Sequence, residues 1–514
     1  MPADLLARLA GCKGRFGERS AVSTLRILRR VASTRIVAAE HLIRLHETLL
    51  FLRAYPASAD IAHVCDALLA RFGAHVALLR SAGSDLAPLE EPEVSGIAGS
   101  GMTAVFSYPI ARQLATAHSE SVSIDWDAYE DQSPLGRVLP HLIVMAEEDA
   151  QVEAHVPYRE WVRAVARGGS EVRWLLAAMA ERWPDERERA DRYDSLGLPL
   201  RWEFRECSAA RTLMRLPVER LFIHDGQFLT RGDVSLDAIP TMPPLPVRRV
   251  TPRMGQLVLR LARGTSAVRY RELHGFSWGD PRHVDVIDAG RGLRFFFSGV
   301  PPRHRLPLRA YHALAIWKNG VPIGYFEGLT LCERMEAGFN LYYTFREGET
   351  AYLYVQVLRA MHQLLGVTCF ILDPYQLGDE NVEAIEAGAF WFYRKMGFRS
   401  TDPELRLLTA REEKRLAAHP GARSTPATLR HLVRAPMIYE LPGTTHGDWD
   451  GFQLRRLGLR LAAGAAWRGL PPKLVRAKSS PEESTYVRLM QADARLRARI
   501  LKFGSRSDAL TCRA

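Results

Sequence analysis

Residues that could do chemistry concentrate in a short polar turn, which reads Arg-Glu-Gly-Glu at positions 346–349. A helix that begins directly after a strand presents unpaired backbone amides and the positive end of its dipole, an arrangement that suits a phosphate or pyrophosphate. Arg346 adds a charge that can pair with a phosphate or a carboxylate. Two interpretations remain open at this point: an anion site that uses Arg346 and Gly348, or an ordinary strand-to-helix turn with a solvated arginine.

The elements that must position this turn are predicted from apolar periodicity and turn residues. In chain order they are a hairpin with strands at 313–317 and 323–327, a strand at 339–345, a helix at 350–365, a strand at 367–372, a second helix ending at 398 and a strand at 437–441. Asn319-Gly320 supplies the positive φ angles that a tight hairpin needs. Thr350 can cap the first helix.

The chain organisation follows from the proline pattern. Prolines are dense at 239–252, where they favour an extended spacer and mark the clearest domain boundary. We predict an α/β (α+β) protein in four parts: a mainly helical N-terminal region at 1–238, the linker at 239–252, a domain at 253–441 and a helical basic tail at 442–514. The family resemblance described below implies that the domain at 253–441 has a mixed sheet with a helical insertion.

Composition places the chain among ordinary globular proteins, with 47% hydrophobic and 25% charged residues in 514. A net charge of +11 favours anionic partners, although the arginines are spread out rather than clustered. The six cysteines, the last of them Cys512, show no C-x-x-C pair and no metal-ligand spacing, so we expect reduced thiols and no metal. No signal peptide and no membrane-spanning run are expected, and the predicted location is cytoplasmic.

The second helix carries a motif. Its sequence resembles the closing helix of the Gcn5-related N-acetyltransferase (GNAT) superfamily, in which a pattern N-x-x-A-x-x-x-Y-x-x-x-G-F is common. The residues that match are Asn381, Ala384, Ala389, Tyr393, Gly397 and Phe398, with a longer interval between the two parts of the pattern. The hairpin and the strand–turn–helix fall in the order that this fold requires. The resemblance covers about 250–441.

The resemblance implies an acyl thioester, usually acetyl-CoA, held between two splayed strands with its pyrophosphate at the helix start. An amine, from a small molecule or a protein, attacks the thioester directly. The residues that the resemblance assigns to the acyl-CoA are Arg346, Gly348, Thr350, Ala351 and Asn381. It makes Tyr393 the candidate acid, with the alternative that it is a half-buried helix aromatic. Glu327 and Asp373 are candidate bases, and Asp373 can instead bond backbone ahead of Pro374.

One departure from the family pattern leaves the function open. The family loop usually reads R/Q-x-x-G-x-G/A, whereas here the glycine is one place early and the loop holds Glu347 and Glu349. These carboxylates would repel a pyrophosphate if they faced it, and would be harmless if they faced water. The leading function is acyl transfer to an unknown amine. The alternatives are a GNAT-shaped protein that binds without catalysis, and a basic nucleic-acid-associated protein, whose arginine-rich tail has only Trp467 and Tyr486 as aromatics.

Overall fold

The protein belongs to the α/β class, as the sequence predicts. In the computed structural model, which describes residues 2–143, 156–464 and 469–505, about 50% of the chain is helical and 14% is strand. The strands form one sheet of nine and one sheet of three. Trp467 and Cys512 lie outside the described residues.

The chain forms two compact units. The first comprises Met1–Gln227, Arg253–Trp278 and Trp317–Ile323, and the second comprises Phe228–Pro252, Gly279–Ile316 and Gly324–Ala514. Neither unit is a continuous stretch of chain, because compactness depends on contacts between distant segments rather than on position along the sequence.

The first unit is mainly helical. Its helices are α1 (Pro2–Ala10), α2 (Glu18–Ala32), α3 (Ala39–Ala54), α4 (Ala59–Ala70), α5 (Phe72–Ser81), α6 (Tyr108–Ala117), α7 (Ser133–Val138), α8 (Tyr158–Ala166), α9 (Glu171–Arg182), α10 (Glu186–Asp194), α11 (Pro252–Ala267) and α12 (His274–Ser277). A small antiparallel sheet has the order β1 (Gly101–Val105), β3 (Pro199–Glu203), β2 (Val122–Ile124). Its core surrounds the fully buried Trp202.

One helical run in this unit is long and apolar enough to cross a membrane by length and composition. It covers Ala59–Ser81, which is 23 residues with a mean hydropathy of 1.3 over its best window, although the sequence suggested that no run approaches this length. The same test is passed by core helices of water-soluble proteins, and 39% of the window is buried inside the protein.

The predicted hairpin turn is confirmed. Asn319 and Gly320 both have positive φ, 49° and 78°, between the strands β7 (Ala310–Lys318) and β8 (Val321–Leu331). The buried Asn319 amide donates to the backbone oxygens of Ala54 and Phe222, at 2.9 and 3.0 Å. These bonds satisfy a polar side chain that would otherwise be costly to bury.

The second unit is built on the nine-stranded sheet. Its remaining strands are β4 (Val247–Arg249), β5 (Val284–Asp288), β6 (Leu293–Gly299), β9 (Arg334–Leu341), β10 (Cys369–Leu372), β11 (Arg399–Ser400) and β12 (Met437–Glu440). Across the sheet the order is β11-β12-β10-β9-β8-β7-β6-β5-β4. β9 and β10 are parallel, whereas β8–β9 and β10–β12 are antiparallel.

The proline-rich segment at 239–252 does not form an extended spacer along its whole length. Ile239–Thr241 is a 3₁₀ turn. β4 pairs with β5 in an antiparallel ladder of three residue pairs, in which Val247 lies opposite Ile287. β4 lies at the edge of the sheet, which is where a strand next to prolines is tolerated because one side needs no ladder partner.

The helices of the second unit are α13 (Thr350–Leu365), α14 (Pro374–Leu377), α15 (Val382–Glu386), α16 (Ala389–Lys395), α17 (Pro403–Ala418), α18 (Pro426–Leu432), α19 (Leu454–Ala462), α20 (Pro472–Lys478), α21 (Glu483–Gln491) and α22 (Ala494–Ser505). α13 has the predicted bounds and is followed by Gly366, whose φ of 65° suits glycine. The predicted helix at 381–398 is instead α15 and α16, because Gly388 between them has a left-handed φ of 70°.

Candidate functional site

The turn ahead of α13 begins earlier than the sequence suggests. β9 ends at Leu341, and Tyr343–Phe345, which was predicted as the end of the strand, is a 3₁₀ turn. Within the turn, the Gly348 amide donates to Phe345 O at 3.0 Å and the Thr350 amide donates to Gly348 O at 3.0 Å. Thr350 is the first residue of the helix, and its hydroxyl donates back to Arg346 O at 3.0 Å, so it does not cap the helix.

Glu349 occupies the N-cap position, but its carboxylate does not cap the helix. The side chain is buried, accepts from the Leu229 amide at 3.1 Å and lies 2.5 Å from the Arg291 guanidinium. Glu347 is exposed. The two glutamates of the turn therefore differ. Glu347 lies at the surface, whereas the charge of the buried Glu349 carboxylate is compensated by the half-buried Arg291.

Arg346 is paired as well. Its Nη2 lies 2.6 Å from Oε1 of Glu383, and both side chains are more than one-third exposed. Its Nε donates to Leu341 O on β9 at 3.2 Å. An exposed ion pair of this kind contributes little stability, so its partners can exchange for a ligand at small cost.

The other two residues predicted to bind acyl-CoA have contrasting positions. Ala351 is the second residue of α13 and is buried. Its contribution to an anion site would be its backbone amide, because its side chain has no polar atom. Asn381 caps α15, where its Oδ1 accepts from the Ala384 amide at 3.2 Å, and its Nδ2 donates to Tyr375 O at 3.1 Å. Its amide is thus already used by local backbone.

The parallel strands next to this turn pair over a short length only. The register joins Cys369–Ile371 of β10 to Arg334–Glu336 of β9, whereas β9 continues paired with β8 as far as Leu341. Beyond the paired part, the β9 edge is met by side chains. Phe339 O accepts from Gln376 Nε2 at 3.2 Å, and Leu341 O accepts from Arg346 Nε. Past Glu336 the β10 side of β9 has no strand partner, because β10 itself ends at Leu372, and this unpaired edge of β9 is called the gap below.

One candidate base lies beside this gap. Glu327 on β8 is directly opposite Gly338 on β9, and its Oε2 accepts from the Tyr311 hydroxyl at 2.7 Å. A Cβ on Gly338 would lie 2.9 Å from Glu327 Cγ and 3.5 Å from Gln376 Oε1. The absence of a side chain at Gly338 therefore leaves room for the Glu327 carboxylate and the Gln376 carboxamide on one face of the sheet.

The other two catalytic candidates have different surroundings. Asp373 is exposed at the end of β10 and accepts from the Tyr375 amide at 2.9 Å, which is the backbone-bonding alternative considered for it. Tyr393 is buried on α16 against Tyr354 and Phe398, with ring centroids 5.4 and 5.9 Å apart. Burial raises the pKa of Tyr393. Tyr354 packs on Phe339, which belongs to the opposite face of β9 from Gly338 because successive side chains alternate.

Four residues of this site were missed by reasoning from the sequence: Arg291, Tyr311, Gly338 and Gln376. Arg291 lies 58 residues from Glu349 in the sequence, and the residues around each of them do not indicate that they pair. Gly338 did carry a usable signal, because an isolated glycine within an apolar strand often marks a close approach of another group.

Neither a search for metal sites nor comparison with known proteins identifies the function of this chain. Within 2–143, 156–464 and 469–505, no group of three or more His, Cys, Asp or Glu residues is placed to hold a metal ion. Comparisons with models of protein families, with curated proteins and with solved structures found no match for this chain.

Proposed function

We propose that the second unit is a GNAT-like, acyl-CoA-dependent N-acyltransferase that transfers an acyl group, with acetyl-CoA as the first donor to test, to an amine. The observation that carries the proposal is the parallel pair β9–β10. Its pairing stops at Glu336, β9 continues to Leu341 and leads through the turn into α13, and Glu327 on β8 lies opposite Gly338 in the part of β9 that β10 does not reach. The resemblance of the closing helix leads us to place the donor at this part of β9.

The donor would place its pyrophosphate at the start of α13. The first turn offers backbone amides, and two arginines belong to its surroundings, each paired with a carboxylate: Arg346 with Glu383 and Arg291 with Glu349. Since Glu349 is already neutralised by Arg291, the turn presents less negative charge than its sequence implies. Arg346 can exchange the exposed Glu383 for a phosphate oxygen and gain a charge-assisted bond.

The reaction needs little from the protein beyond positioning and one base. The amine nitrogen attacks the thioester carbonyl carbon, a C–N bond forms, and the C–S bond breaks with its electron pair on sulfur. Glu327 takes the proton from the attacking amine, with the Tyr311 hydroxyl fixing its orientation. The CoA thiolate takes up a proton, for which Tyr393 is the candidate donor from the other face of β9.

The test is ligand-induced thermal stabilisation, followed by turnover with a panel of amines. A ligand at 100 times its Kd stabilises a protein by about 2.7 kcal/mol, so CoA or acetyl-CoA at millimolar concentration should raise Tm by several degrees. Arg346→Ala should weaken binding about tenfold or more, because a charged contact is lost. Arg430→Ala, at an exposed arginine of α18, is the matched control. The absence of any shift with short- and long-chain acyl-CoA would overturn the proposal.

A second candidate is a protein of this shape that binds acyl-CoA without catalysis. The pairing of the buried Glu349 with the half-buried Arg291 favours it, because Glu349 stands where the family loop usually has glycine. Stabilisation by acetyl-CoA together with no acyl transfer to any amine, in wild type and Glu327→Gln alike, would select this candidate. Retention on heparin beyond that of a control protein of equal charge at matched salt would instead favour the nucleic-acid alternative.

A further inference from the structure

The C-terminal helices of the second unit carry most of the protein's net charge. Between 454 and 505 there are twelve lysines and arginines and three acidic residues, so this segment accounts for +9 of the net charge of +11. The sequence suggests that the arginines are spread out along the chain, and this short segment is the exception. Like charges brought together destabilise a compact structure by repulsion, and the same concentration of charge attracts polyanions.

One side of α22 is basic along its length. Arg495, Arg499 and Lys502 recur at steps of four and three residues, which places them on one side of the helix. The buried residues Leu496 and Ile500 lie on another side. From 495 to 502 the helix rises about 10 Å. Each strand of a nucleic-acid duplex carries a phosphate about every 3.4 Å along the axis, so this side of α22 extends over about three phosphates.

The row of cations continues on α19, which packs against α22. Arg456 and Arg460 are about one helical turn apart on α19. Nη1 of Arg460 donates to the backbone oxygens of Phe503 and Lys502 at the C-terminal end of α22, at 3.1 and 3.4 Å. This bond places Arg460 next to the last cation of α22. The five cations of the two helices are called the basic strip: Arg456, Arg460, Arg495, Arg499 and Lys502.

Acidic side chains do not neutralise the basic strip. Within 2–143, 156–464 and 469–505, Arg456, Arg495 and Lys502 form no ion pair, and the last two are exposed. Arg497 on another side of α22 differs, because its guanidinium lies 2.7 Å from the Glu333 carboxylate. The charges of the strip are therefore available to a partner, whereas that of Arg497 is used within the fold.

We propose that the basic strip binds the phosphate backbone of a double-stranded nucleic acid without reading its sequence. Four of its five cations are arginines, whose guanidinium groups pair with phosphate oxygens through two parallel hydrogen bonds. The strip contains no aromatic residue, so it offers no platform on which the bases of a single strand would stack. A lipid surface fits less well, because a helix that lies in a membrane presents an apolar side to it. Of the large apolar residues on these two helices only Leu459 is exposed.

The experiment measures binding of a fluorescent duplex of roughly 20 base pairs, as DNA and as RNA, by anisotropy at salt concentrations from about 50 to 200 mM. The logarithm of the association constant should fall linearly with the logarithm of the salt concentration. The variant Arg495→Gln/Lys502→Gln loses two phosphate contacts, so its slope should be smaller in magnitude by about 1.8. At about 0.1 M salt its binding should be weaker by about tenfold or more.

The matched control is Arg411→Gln/Arg430→Gln, which removes the same two charges from exposed positions on α17 and α18 and should leave the slope unchanged. An equal loss of binding in both variants would show that net charge alone matters, and would overturn the proposal. It is overturned as well if wild type binds neither duplex, or binds only vesicles of phosphatidylserine and phosphatidylcholine. The rise in Tm with acetyl-CoA should be the same in Arg495→Gln/Lys502→Gln as in wild type. Its absence from wild type would overturn the proposed function and not this proposal.

Discussion

The two faces of β9 differ sharply in chemistry although they belong to one strand. One face brings together Glu327, Gly338 and Gln376, which are polar and partly exposed. The other packs Phe339 against Tyr354 and, beyond it, Tyr393, all buried. Since side chains alternate along a strand, one residue step separates a polar, partly exposed face from a buried aromatic face.

The strongest test of this difference is Glu327→Gln. Loss of a positioned base should lower kcat about 10²- to 10⁴-fold, while the Kd for acetyl-CoA and the Tm stay close to wild type. The measurement is steady-state turnover with a saturating amine. Asp373→Asn is the control, because this exposed carboxylate already accepts from the Tyr375 amide. If Asp373→Asn proved the more damaging change, the base would be Asp373 and the polar face would lose its assigned role.

Gly338→Ala is expected to have the next largest effect. Its new Cβ would lie 2.9 Å from Glu327 Cγ, closer than real side chains pack, so the Glu327 side chain must move from its place beside the gap. A misplaced base should cost about tenfold or more in kcat. Gly458→Ala in α19 meets nothing within 4 Å and should leave kcat unchanged. Equal kcat in both variants would show that the position of the Glu327 side chain opposite Gly338 does not matter for turnover.

The smallest effect is expected on the aromatic face. Burial raises the pKa of Tyr393, so its hydroxyl stays protonated through the working range and gives up its proton less readily. We expect Tyr393→Phe to reduce kcat by less than about fivefold, since a thiolate is a good leaving group that needs little help from a general acid. The pH–rate profile up to pH 9 should be the same for both proteins. A hundredfold loss of kcat in Tyr393→Phe, or a change in the alkaline limb of its pH–rate profile, would show that Tyr393 is the general acid. Residues on both faces of β9 would then take part in the reaction.

Local elements were largely readable from the sequence. The bounds of α13, the Asn319-Gly320 turn and the α/β class follow from periodicity and turn chemistry, which depend on residues close together in the chain. The end of β9 and the division of the second helix at Gly388 were not readable. A glycine in a helical pattern is compatible with continuation, and only its surroundings decide its φ.

Partners across the chain were decided by tertiary structure alone. The sequence shows two glutamates in the turn, but only the fold shows that Glu349 is buried against Arg291 while Glu347 faces water. Likewise, the prolines before 252 are compatible with a linker from the sequence alone, and only the structure shows that part of this segment is the edge strand β4. Which residues can react is encoded locally by their types. Which of them meet depends on long-range pairing, whose energy is spread over many residues and leaves no mark at any single position.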